Sequence, residues 1–566
     1  MLRSLKPLAV AVFALGGTSL FADNPTGAYL AARHASLNAD YAAAGEYYLR
    51  ALAADPNNPL LLESAVTSLV GTGEVDRALP LARKMYLDGL DSQVANLVVL
   101  AGYFSQGDYA GAQEVLGQGI TVGTFLDRLA VAWAQVGQGD VSGALASFEH
   151  AAEVEGSEAF AYYNMALTYA LVGDYQSADD ILGGRTYGPL PATRNGILTH
   201  IQVLSQVGRH DDALQLLELA FSGQLAQFQE MRAALSGQQP IPFDVISSAT
   251  DGMSEAFYDI ADAIQTEVSP TFTLIYTRMA LELDPDHVSA LLLAGAMLDE
   301  LGQYDLSMQS YSRVPADHPR SYIAEIGRAN AMIAMGRTDA AIEVLSNLAD
   351  RHPELPFVHV SLADALQDED RYQEATDAYS NAVELYQSPD ESQWRTFFAR
   401  AISYERRGMW PEAEADFRHA LELSPGQPFV LNYLGYSLVE RREKLDEALS
   451  MIEAAVEAQP QNGYIVDSLG WVLFRLGRYD EAVVWMERAV ALEPTDPVLS
   501  DHLGDTLWAV GRYREAEFQW SRALSFAEYD ETGEINPERI RRKLEVGLDQ
   551  VLADEGAEPL RGADDN

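Results

Sequence analysis

Residues whose types and spacing could do chemistry are sparse in this sequence. Gly137-Gln138-Gly139 has the outline of a loop that closes its backbone N–H groups on a phosphate. Such a loop follows a strand, and the surrounding helical periodicity supplies none, so Gly139 reads as a turn between helices. Glu528 to Ile535 has the glycine and following isoleucine of a calcium loop, but the position that needs a bidentate Glu is Arg539. The ten histidines are scattered singly, without a His-Glu-x-x-His pair or another ligand spacing. Neither a Gly-x-Ser-x-Gly elbow nor a Gly-Lys-Ser/Thr phosphate loop occurs. Cysteine is absent, which excludes disulfides, thiolate metal sites, a cysteine nucleophile and acylation at a lipobox. No catalytic residue, cofactor site or metal ligand is therefore assigned, and the chain is expected not to be an enzyme. Scattered carboxylates meeting in three dimensions are the route left open to catalysis.

Composition narrows the alternatives. Of 566 residues, 48% are hydrophobic and 22% charged, enough apolar surface for an ordered protein. Lys plus Arg number 38 against 84 Asp plus Glu, a formal charge of −46 that repels phosphate backbones and argues against nucleic acid. Arg3 and Lys6, the apolar run Leu8 to Leu20 and then Phe21-Ala22 make a secretory signal peptide over 1–22, with cleavage expected after Ala22. Losing the two basic residues would take the formal charge to −48. The mature chain is expected to be soluble and without a membrane segment, with the periplasm its address and full secretion the alternative.

The elements that must position any site repeat. Gly463 to Thr495 carries Leu469-Gly470, Leu473, Gly477-Arg478-Tyr479, Ala482, Met486, Ala489 and Pro494. Apolar residues at helical spacing give two stripes, Gly477 permits a tight turn, and Pro494 stops the second helix. Indexing each unit two residues after its turn gives Tyr41, Val75, Tyr109, Val141, Tyr175 and His210, then Pro270, Tyr304, Thr338, Tyr372, Trp410, Leu445, Tyr479 and Tyr513, most of them 34 apart. Three residues later stands a small residue: Ala44, Ala78, Ala112, Ala144, Ala178, Ala213, Thr273, Ser307, Ala341, Ala375, Ala413, Ala448, Ala482 and Ala516. Two helices can cross closely only over such a residue. This order of large, small and breaker residues resembles the tetratricopeptide repeat. The resemblance implies an all-α, right-handed superhelical solenoid of about fourteen helix-turn-helix repeats, the one at Pro270 degenerate.

The 60-residue step from His210 to Pro270 holds Pro240 and Pro242 and suggests two arrays. The expected organisation is an N-terminal array over 23–221, a non-repeat connector over 222–252, a C-terminal array over 253–533, a capping helix over 534–548 and an acidic flexible tail over 549–566. A longer loop is expected at Gln387 to Ser392.

Members of the repeat family hold a peptide in a concave groove lined by first helices. Carried onto this chain, the groove positions of the last four repeats are Phe398 and Ile402; Phe429, Asn432 and Tyr436; Tyr464, Asp467, Trp471 and Phe474; and Asp501, Asp505 and Trp508. They would form an aromatic strip with acidic edges, fitting a ligand with apolar anchors beside Lys or Arg. The lysine–asparagine clamp by which some members hold a C-terminal carboxylate is missing, since the mature lysines are Lys84, Lys444 and Lys543.

Leu434 to Leu438, Asp467 to Phe474 and His502 to Ala509 are similar to the C-terminal repeats of bacterial envelope proteins that include an adaptor of a carboxyl-terminal processing protease. That resemblance implies an exported scaffold for envelope protein assembly or turnover, with such a protease or a cell-wall hydrolase as partner. Membrane anchoring does not carry over, because no lipobox cysteine exists. The alternatives are a structural subunit of an envelope or secretion complex and a carbohydrate-binding or enzymatic protein. Oligomeric state is open.

Overall fold

The computed structural model describes residues 25–191, 193–221, 228–529, 535–557 and 559–560. The expected signal peptide, most of the calcium-like loop and the last six residues lie outside them. Among the described residues every regular element is a helix. All fourteen indexed residues, from Tyr41 to Tyr513, are the first residue of a helix. Each begins the second helix of an antiparallel hairpin, as in Pro59–Thr72 with Val75–Leu87 and Gly463–Arg475 with Tyr479–Leu492.

The turns before these helices work in two ways. Gly107, Gly139 and Gly173 take φ of 66°, 83° and 85°, a region open to glycine at little cost. Asp108, Asp140 and Asp174 follow, each accepting the backbone N–H three residues on and so satisfying an otherwise orphaned donor of the new helix. In later repeats an arginine holds that place and the cap is lost. Arg371, Arg478 and Arg512 instead pair with Glu374, Glu481 and Glu515, three residues on. These pairs are exposed, so they contribute only modestly.

The small residue three places into each second helix is the tightest point of each hairpin. All fourteen, from Ala44 to Ala516, are 0% exposed. Opposite them the first helix is equally constrained: a Cβ on Gly435 would lie 2.7 Å from Ile452 Cγ1 and 3.0 Å from the Ala448 carbonyl. Neighbouring hairpins then bury the remaining stripes, and first helices touch first helices, for example Pro428–Glu440 with Gly463–Arg475 and Gly463–Arg475 with Pro497–Ala509. First helices therefore line a continuous face within each stack.

The chain divides into two compact units, one running to Val358 and the other starting at His359. This corrects the boundary placed in the connector over 222–252. The reason is where the next hairpin goes. Helices Ala249–Ile264 and Pro270–Leu283 stack on the following helix Val288–Glu300 and also lie on the first-helix face of the N-terminal repeats. Pro270–Leu283 packs on Pro59–Thr72 and Gln93–Ser105, and Ala249–Ile264 on Thr124–Gly137 and Glu158–Leu171. The proline-containing strap before them is tied down on helix Arg194–Gln206. Gln202 exchanges hydrogen bonds with Asp244 and Ser205 accepts the Ile241 N–H at 2.7 Å.

The C-terminal end also departs from its expected form. Helix Pro537–Val546 follows the last repeat, and Leu548–Asp554 is helical although its acidity suggests a flexible tail. Val551 makes the difference, being buried in this helix as Leu548 is. The loop at Gln387 to Ser392 is present, closing with a short turn of helix at Glu391–Gln393.

Substituting Ala448 by Leu should overpack its hairpin and cost about 1–3 kcal/mol or more. Gly435→Ala should act in the same direction, because its neighbour is backbone and cannot swing away. Thermal unfolding followed by circular dichroism checks both, with Ala458→Leu, at the end of the same helix and exposed, as the control expected to change little.

Candidate peptide-binding surfaces

Two first-helix faces could receive a polypeptide, one in each unit. The N-terminal face is already filled. Along its length the inserted hairpin satisfies groove donors and acceptors in order. Tyr41 and Thr271 hydroxyls lie 2.8 Å apart, Arg278 donates to the Gly71 carbonyl at 3.1 Å, Gln93 donates to the Tyr276 hydroxyl at 3.3 Å, and Thr250 donates to the Phe104 carbonyl at 3.1 Å. Burial pushes the Arg278 guanidinium down to about 10. Further along, Glu255 of the hairpin is buried and accepts from Asn195 at 3.0 Å and Tyr163 at 3.3 Å, with His287 2.8 Å away. Burial alone would raise the Glu255 pKa, but His287 and these donors outweigh it and hold the carboxyl low. Burial alone would also lower His287; Glu255 reverses this and raises it. The pair is thus an internal lock, His287 Nε2 facing the Glu255 carboxylate while its Nδ1 accepts the Ala290 N–H.

In the second unit part of the candidate groove is occupied by the chain's own C-terminal helices. Asp501 and Asp505 face Lys543, whose Nζ is 2.8 Å from both Asp501 oxygens and 2.6 Å from Asp505 Oδ1. Lys543 is fully buried there, 5.7 Å from the centre of the Trp520 ring. Trp520 donates to Asp505 at 2.9 Å, and Trp508 donates to Asp549 at 2.9 Å. Burying a lysine is costly unless it is paired, and two carboxylates with an indole provide the pairing. Asp501, Asp505 and Trp508 therefore serve an internal contact in this structure.

The other groove residues sort by burial. Phe398 is half-buried among Trp394, Phe417 and Tyr433, with ring centres about 6 Å apart. Trp471 stacks on His502 at 4.1 Å and on Phe474 at 4.9 Å, and its indole donates to Glu440 at 2.9 Å. Phe474 also meets Tyr479 at 5.3 Å. Tyr436 and Ile402 are half-buried against the core. Phe429 and Tyr464 are 48% and 55% exposed. Beside them stand two acceptors without a hydrogen-bond partner among the described residues, the buried Asn432 Oδ1 and Asp467 Oδ1. Asp467 uses its other oxygen to hold His502 at 2.9 Å.

The open part of the face thus runs over Pro428–Glu440 and Gly463–Arg475, where two exposed rings flank two unpaired buried acceptors. Those four residues are among the groove positions that the family resemblance implies. It missed His502, Glu440 and Lys543, the partners of the groove residues. Only Lys543 left a signal, as one of four lysines in the chain and on the amphipathic helix after the last repeat. Among the described residues no three His, Asp or Glu side chains are arranged to hold a metal ion, and no helix is long and apolar enough to cross a membrane.

The His502–Asp467 contact has a pH signature. Burial would lower the imidazole pKa, but Asp467 and then Asp501 and Asp505 outweigh it, so it lies above 6.5. A raised folded value stabilises the unit most below the unfolded pKa, and that contribution disappears as pH rises through the folded value. Imidazole NMR titration should place His502 above 6.5 in the wild type and lower in Asp467→Asn.

Comparison with known proteins agrees with the repeat geometry. Residues 360–428 and 434–497 match one tetratricopeptide repeat model, and residues 326–354 match a second. A tetratricopeptide repeat-containing protein of Pseudomonas aeruginosa is 26% identical over 156 residues, covering 27% of this chain and 26% of that protein, so the match spans about a quarter of the relative's length. Among solved structures, the chain is similar to the APC/C hetero-tetramer Cut9–Hcn1 (TM-score 0.39, 16% identity, 93% of this chain and 97% of that one). It is also similar to yeast Tom70 (TM-score 0.34, 14% identity, 82% and 98%). The family models identify tetratricopeptide repeats over residues 326–354, 360–428 and 434–497, and the stacked helical hairpins make the described chain an all-α repeat solenoid.

Proposed function

We propose that this protein is an exported scaffold that binds polypeptide partners on the open first-helix face of residues 428–475. The observation that carries the reading is the pairing of exposed aromatics with unsatisfied acceptors. Phe429 and Tyr464 offer large rings at low rotamer cost, while Asn432 Oδ1 and Asp467 Oδ1 are buried without donors. Leaving such acceptors unmade is expensive, and backbone N–H groups or a Lys or Arg of a bound segment would satisfy them. The chain itself occupies the face over Pro59–Leu171 and at Asp501 to Trp508, and it leaves this window free. A chain charge of −46 favours a segment carrying basic residues next to apolar anchors.

The role we infer is assembly or turnover of envelope proteins, with a carboxyl-terminal processing protease or a cell-wall hydrolase among the partners. It rests on the similarity of the C-terminal repeats to envelope adaptors and on the signal-like first 22 residues. The protein then acts by holding partners, not by transforming them.

A photo-crosslinking residue in place of Tyr464 should capture a discrete partner in cells, and one at exposed Val484 should not. With that partner purified, Phe429→Ala, Tyr464→Ala together should weaken binding by about 10- to 100-fold with helical content unchanged. Equal capture at both positions, or unchanged affinity, would move recognition off this face. Intact mass of the exported protein should correspond to a chain starting at Asp23; a retained Met1 start would remove the export step.

A further inference from the structure

The first unit contains a cavity that the peptide-binding reading does not use. It has a volume of about 220 Å³ and lies among the hairpins Glu158–Leu171 with Tyr175–Leu182 and Arg194–Gln206 with His210–Ala220. Its walls are apolar, built from Phe160, Leu182, Leu190, Ile197 and Leu216. One charged residue enters from the inserted hairpin: Asp259, on helix Ala249–Ile264. Its Oδ2 is buried and has no hydrogen-bond partner among the described residues.

The surroundings of Asp259 give it no cation. One turn earlier, Glu255 has taken His287, Asn195 and Tyr163. One turn later, Asp262 spends an oxygen on Gln265. His200, which also borders the cavity, is bound through Nε2 to Asp179 at 2.9 Å. Burial, then Glu255 and Asp262, push the Asp259 carboxyl well above the usual range. An apolar chamber whose one unpartnered polar atom is a carboxyl oxygen offers no cation to a carboxylate or phosphate ligand. It suits a donor that brings its own positive charge and an apolar body to cover the walls.

We propose that this cavity is a binding site for a small amphiphilic primary amine, with the ammonium on Asp259 Oδ2 and the hydrocarbon against Phe160, Ile197 and Leu216. Because Asp259 belongs to the hairpin that fills the N-terminal groove while the walls belong to the repeats, an occupant bridges the two and stabilises the hairpin in place. The site is independent of the polypeptide surface of the second unit.

The test uses the full mature chain and 2-phenylethylamine, with 2-phenylethanol as a neutral analogue of nearly equal size. Isothermal titration calorimetry should show saturable binding of the amine at least tenfold tighter than the alcohol, and the amine should raise the midpoint of thermal unfolding. Asp259→Asn should lose the preference for the amine, and Leu216→Trp, which fills the chamber without touching the acid, should abolish binding of both compounds. If either variant fails to fold, the other still decides. Equal affinity for amine and alcohol, absence of saturable amine binding, or amine binding unchanged in a folded Asp259→Asn or Leu216→Trp protein would overturn the proposal.

Discussion

Everything in this structure depends on one steric constraint, the closure of each hairpin over a residue no larger than threonine. At fourteen successive crossings that residue is sealed from solvent, whatever else the repeat contains. Close crossing brings the helix axes near enough for the flanking stripes of Leu, Val, Met and aromatic residues to interlock. Turn chemistry is free to vary around it, so aspartate caps serve in several N-terminal repeats and arginine–glutamate pairs in later ones. The crossing does not vary, and so the register of the stack is kept through 14 hairpins of very different sequence.

A stack of this kind has a liability that the chain meets twice in the same way. First helices create a long face with apolar and polar groups aimed at a ligand, and two stretches of it are covered by the protein itself. In the first unit the cover is a hairpin of two helices, locked by Glu255 and His287. In the second it is the pair of helices after the last repeat, anchored by one buried lysine between two aspartates. The window between Phe429 and Phe474 is left uncovered, and it is short enough to be specific.

The repeats were legible in the sequence because their determinants are local. A turn, an index residue and a small residue three places on lie within one helical turn of each other, so spacing alone located all fourteen second helices. Within the candidate site, exposed Phe429 and Tyr464 were legible through the groove positions that the family resemblance implies. The covers were not. Tyr41 and Thr271 are 230 residues apart, and nothing in either neighbourhood marks the other. Likewise Asp501 and Asp505 have the spacing of ligand-binding groove residues whether the lysine they meet comes from a partner or from position 543. The helical start of the tail, to Asp554, was not legible because its acidic composition masks Val551, which is buried.

The hairpin in the first unit changes what kind of object that unit is. In an open array each repeat touches only its neighbours, so folding can nucleate anywhere and spread, and the ends fray without affecting the middle. Here residues 71 and 278, and 41 and 271, are joined by hydrogen bonds across more than 200 positions of chain. Such closure must wait for long loops to find their ends, which slows folding, and it then couples the first repeats to the middle of the sequence. The first unit is therefore best regarded as a cooperative domain made from repeats. The uncovered repeats of the second unit retain the modular behaviour of a linear array.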